Sequence, residues 1–142
     1  MSERQVWPLY SAMPSLAPLP TAPACAHAFA SLTLSCWRMH DQAESADLVI
    51  SELVTNAIRA SAPYCRDAWI EVIQVCLFGD ADSARVLIEV WDEAAGIPQL
   101  REPSEFEETG RGLTLVAAIA GTWGWRPAAG CRGKCVWAEL SG

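Results

Sequence analysis

The sequence predicts an α+β domain: a two-layer sandwich with helices on one face of a mixed, mostly antiparallel sheet. Three observations point there. The apolar spacing changes from helical to strand-like in the order helix, helix, two strands, helix, two strands. The 142 residues suffice for one good core and are too few for two ordinary ones. Helices grouped against a largely antiparallel sheet are the simplest two-layer packing of that order.

The elements follow in turn. Residues 2–23 are irregular, Met1 to Pro23 being broken by five prolines, and only Val6-Trp7-Pro8-Leu9-Tyr10 is strand-like. Proline within it makes an arm or edge strand, so the division expected is 1–23 as an N-terminal arm and 24–142 as a single domain. Ala24 to Arg38 reads as a helix with Cys25, Ala28, Phe29, Leu32 and Cys36 on one face. Asp41 with Glu44 has the capping-box spacing that starts a second helix, which Pro63 ends. Its apolar stripe is Ala46, Val49, Ile50, Leu53, Ala57 and Ala60. Trp69 to Phe78 and Arg85 to Trp91 form a hairpin about a turn at Gly79 to Ser83. A long acidic loop, Glu93 to Thr109, precedes a helix at Leu113 to Ala120. Strands at Trp123 to Arg126 and Lys134 to Leu140 close the chain.

Composition excludes several classes. Hydrophobic residues make up 51% and charged ones 19%, against wholesale disorder. The net charge is -7 and no run of Lys and Arg exists, so nucleic acid is not expected as a partner. No apolar stretch approaches the roughly 20 residues that span a bilayer, and the N-terminus lacks a signal-peptide pattern. The expected location is the cytoplasm, with no membrane contact. The six cysteines include no C-x-x-C pair and read as small buried hydrophobes.

Candidate chemistry lies in three clusters. Glu52 and Asn56 stand four apart and project together from the second helix, with Arg59 one turn on. Their oxygens suit a hard cation such as Mg2+, although a solvated helix face has the same look. Asp92 ends the second hairpin strand, followed by Gly96-Ile97-Pro98. It can accept a hydrogen bond from an exocyclic amine while the glycine admits a flat ring, or it can simply open a turn. Gly110-Arg111-Gly112-Leu113 enters the third helix, where freed backbone N–H groups and the helix dipole favour an anion; an ordinary flexible helix entry fits equally. This loop is neither a Walker P-loop nor a Rossmann fingerprint.

In that order the segments Glu52-Leu-Val-Thr-Asn56-Ala, Val90-Trp-Asp92 with Gly96-Ile-Pro98, and Gly110-Arg-Gly-Leu-Thr-Leu-Val116 resemble the N, G1 and G2 boxes of the Bergerat-fold (GHKL) ATPases. The likeness spans roughly Ala24 to Leu140 and is strongest toward bacterial anti-sigma-factor serine kinases. It implies ATP and Mg2+ as cofactors, with Asn56 on the metal and Glu52 as general base. It further implies Asp92 and Gly96 at adenine, Gly110, Arg111, Gly112 and Leu113 at the phosphates, and residues 99–109 as a lid. The function implied is phosphorylation of a serine on an anti-anti-sigma partner by a protein that also binds a sigma factor. Apart from the resemblance, Trp7, Trp69 and Trp123 are candidates for a homodimer interface, although tryptophan is as readily core. Three positions depart from the family pattern: Ala94 replaces a G1 glycine, Cys135 a threonine that helps hold adenine, and Ala60 a histidine. The rival readings are a nucleotide-sensing or nucleotide-dead adaptor and, third, the catalytic part of a split histidine kinase.

Overall fold

The computed structural model describes residues 6–17, 19–61, 73–93, 112–128 and 133–141, with side chains except at 60, 61 and 112–115. Strand β1 is Leu9–Ala12, helix α1 Ala22–Cys36 and helix α2 Ala43–Ser61. Strands β2 (Gln74–Asp80) and β3 (Arg85–Asp92) form the hairpin. Helix α3 (Gly112–Ile119), β4 (Thr122–Pro127) and β5 (Lys134–Ser141) follow. The strands lie in the order β1-β2-β3-β5-β4, and every described pairing is antiparallel.

β1 starts after Pro8, later than the Val6 to Tyr10 expectation, because proline has no N–H to give to a ladder. It forms the sheet edge, running antiparallel to β2 from Leu9↔Gly79 to Ala12↔Cys76. In β2, Gly79 stays within the strand and is not part of the turn. A side chain there would meet the Trp37 ring at 2.8 Å, so the glycine makes room for the indole. The turn itself is residues 81–84, which the Asp80 carboxylate supports by accepting from the backbone N–H groups of Asp82 (3.1 Å) and Ser83 (3.4 Å).

α2 buries the stripe its spacing predicts. Ala46, Val49, Ile50, Leu53 and Ala57 are no more than 1% exposed, and Val54 joins them. The helix packs against β3, β5, α1 and α3, so it is the element every other layer touches. Its entry differs from the capping-box expectation. Asp41 lies inside a 3-10 turn, His40–Gln42, that precedes the helix. α1 ends with Arg38 in the left-handed region (φ 58°) and the Met39 N–H on the Leu34 carbonyl at 2.9 Å, which swings the chain straight into that turn.

α1 turns a different face inward than expected. Ala22, Ala26, Ala30, Thr33 and Leu34 are buried, whereas Cys25 and Cys36 are exposed and Leu32 is 70% exposed. The helix is apolar on nearly every side, so hydrophobic spacing alone could not choose the face. The alanines four apart choose it, because they let α1 approach α2 closely. Cys76 and Cys135 are buried as expected, while Cys65 and Cys131 lie outside the described residues. The inward residues of helices and sheet, Leu34, Ile50, Leu53, Leu77, Ile88, Val90, Val116 and Val136 among them, form one apolar cluster.

The face assignment of α1 is open to a paired test. Ala30→Leu forces bulk into the α1–α2 seam and should destabilise the protein by roughly 1–3 kcal/mol. Leu32→Ala should stay within about 0.5 kcal/mol of wild type by urea denaturation.

Candidate functional site

Asp92 is the last residue of β3 and faces Lys134, the first residue of β5, as its Cα partner. The Lys134 ammonium donates to Asp92 Oδ1 at 2.9 Å, with the two side chains 3% and 0% exposed. Both point to the inner face of the sheet, in line with the buried Val90 and Val136. The corner is held by Gly133. Its φ is +121°, and a Cβ there would lie 2.8 Å from the Glu93 Cα and collide with the Asp92 carbonyl. The Ala128 N–H reaches the Gly133 carbonyl at 3.1 Å, which ties in the connection from β4.

The same register corrects the reading of Cys135. Side chains alternate along a strand, so Cys135 lies on the outer face opposite Trp91 and Arg126, away from the Asp92 carboxylate. There Glu89 accepts from Arg126 Nη2 at 2.5 Å and from the Trp91 indole N–H at 3.3 Å, and the guanidinium stacks 5.0 Å above the Trp91 ring. Burial first, then the Glu89 charge, pushes the Cys135 thiol up to about 12. The side chain standing beside Asp92 is Lys134. Strand alternation counted back from Asp92 and Cys135 was the signal that could have found it.

Glu52 and Asn56 sit side by side on α2, both half-buried. Burial raises the Glu52 carboxyl above its ordinary range, and the nearby Arg59 charge pulls it partly back. No hydrogen bond joins Glu52 or Asn56 to Asp92 or Lys134 among the described residues. What relates the clusters is α2 itself, which packs on β3 and β5 and also on α3, whose first residues are Gly112 and Leu113. The Leu113 side chain, Gly96, Gly110, Arg111, Ala94 and the 99–109 segment lie outside the described residues.

These groups fit a magnesium nucleotide in kind. Asp92 supplies an acceptor in an apolar surround, and Glu52 and Asn56 supply oxygens suited to Mg2+. No group of three His, Cys, Asp or Glu occurs among the described residues. A cation held by Asn56 would take oxygen ligands from phosphate and water as well, as Mg2+ commonly does.

Two outcomes check this geometry. Gly133→Ala should cost about 2 kcal/mol or more, combining left-handed strain with the clash at Asp92, and lower the thermal midpoint by several degrees. Glu52, with its folded pKa raised, binds more protons folded than unfolded between the two values. Its contribution to stability thus falls as pH rises through that window above the ordinary carboxylate range. Glu52→Gln should accordingly gain in melting temperature relative to wild type as pH rises above the ordinary carboxylate range of about 4.

No helix among the described residues is long and apolar enough to cross a membrane. A search of curated proteins finds no significant match. The family model of histidine kinase-, DNA gyrase B-, and HSP90-like ATPases matches residues 41–141, from the 3-10 turn before α2 to the end of β5. The match takes in α2 with Glu52 and Asn56, the Asp92–Lys134 corner and the start of α3, and by it the chain belongs to this ATPase family.

Proposed function

We propose that the protein is an ATP-binding regulatory kinase of the anti-sigma type, which transfers phosphate to a serine on an anti-anti-sigma partner and also binds a sigma factor. The observation that carries the catalytic part is Glu52, a carboxyl with its proton affinity raised by burial, next to Asn56 on a helix of an ATPase domain. Glu52 takes the proton from the attacking serine hydroxyl, and a base whose pKa is drawn toward working pH is better at that task. Asn56 holds Mg2+, which supplies charge neutralisation at the phosphates. Asp92 accepts from the exocyclic amine of the base, while Gly96, the backbone of Gly110, Gly112 and Leu113, and the Arg111 guanidinium hold the rest of the nucleotide.

One observation favours the adaptor reading. The Asp92 carboxylate is already ion-paired with Lys134, so part of its hydrogen-bonding capacity is taken up within the chain, which suits an adaptor that keeps the fold and binds nucleotide weakly or not at all. Titration with Mg-ATP followed by incubation with a serine-bearing antagonist separates the two. The kinase reading expects binding, phosphoserine on the antagonist, a fall of about 10²–10⁴ in rate in Glu52→Ala, and loss of the Mg2+-dependent part of binding in Asn56→Ala. Binding with no transfer selects the adaptor. Absence of binding at millimolar nucleotide removes the kinase reading and leaves the nucleotide-dead form of the adaptor.

A further inference from the structure

The Asp92–Lys134 pair, taken as a unit, has no necessary part in building the fold. An ammonium buried among valines is expensive to desolvate, and apolar replacements for a buried ion pair often hold a protein together as well or better. Yet the inner face of the sheet carries this cation with a rigid approach. Gly133, fixed by its positive φ and its contact with the Asp92–Glu93 backbone, sets the Lys134 Cα directly across from Asp92. The 2.9 Å bond then aims the ammonium along the carboxylate. A lysine has three N–H donors and no acceptor, so the bond to Oδ1 leaves it able to donate again.

The pair thus offers an acceptor and a charged donor next to each other. A 6-aminopurine presents the complementary pattern on its edge: an exocyclic amine that donates beside a ring nitrogen, N1, that accepts. Resting on the nucleotide reading above, we infer that Lys134 is a base-reading residue that donates to N1 of adenine while Asp92 accepts from the amine. A charged donor makes this contact stronger than a neutral hydroxyl would. A 6-oxopurine presents the two functions in the reverse order, so it meets the pair with donor against donor and acceptor against acceptor.

Calorimetry with ATP and with 1-deaza-ATP, which keeps the amine but lacks the N1 acceptor, tests this on the wild-type chain. The analogue should bind about tenfold more weakly or worse, the loss expected for a buried charged hydrogen bond. In Lys134→Met, checked for folding by its thermal transition, the two nucleotides should bind within about twofold of each other. Lys134→Arg should restore part of the gap. Equal binding of the two nucleotides by wild type, or an undiminished gap in Lys134→Met, overturns the role of Lys134 while leaving the ATP site standing. If Lys134→Met does not fold, the wild-type comparison decides alone. Failure of wild type to bind ATP at all overturns the nucleotide reading and this inference with it.

Discussion

Partners in an antiparallel register share a sheet face, and that constraint between β3 and β5 governs the chemistry this chain can do. Trp91↔Cys135 and Asp92↔Lys134 are consecutive rungs of one ladder. The first points to the outer face, where the enclosed thiol lies beside a satisfied polar cluster of Glu89, Arg126 and Trp91. The second points to the helices, where carboxylate and ammonium neutralise one another in an apolar surround. A slip of one residue would exchange the two sets, turning the thiol toward α2 and the ion pair to the outer face. The collision awaiting any side chain at Gly133 helps hold that register in place.

α2 links this sheet corner to α3. Its buried stripe seats it on β3 and β5 and it also packs on α3, so the helix that carries Glu52 and Asn56 spans both. The expensive groups are placed where burial alters them. Glu52 is raised by partial desolvation with Arg59 as counterweight, and Asp92 retains a cation beside it. Partial burial tunes the first and full burial demands a partner for the second.

Much of this was legible in the residues. α2 showed its buried stripe because polar Glu52, Asn56 and Arg59 interrupt the apolar pattern and leave a single face to hide. β3 and β5 were legible for a similar reason, with Val86, Ile88 and Val90 on one and Val136, Ala138 and Leu140 on the other at alternate positions. α1 was misread because alanine, leucine and cysteine surround it, so only the size of the residues tells which side meets α2. Gly79 looked like a turn because its role depends on Trp37, a residue distant in the chain. Lys134 escaped notice because a lysine at a strand start reads as a surface charge, and its burial comes from a partner 42 positions away.

The split of thiols between the two layers has a practical consequence. Cys25 and Cys36 lie in the open on α1, while Cys76 is nearly covered and Cys135 is wholly enclosed and strongly protonated. Because it is the thiolate that reacts with alkylating dyes, a maleimide fluorophore will, among the thiols of the described residues, decorate those of the first helix and spare those of the sheet. The native chain therefore carries ready attachment points for optical probes, on a helix that holds none of Glu52, Asn56, Asp92 and Lys134.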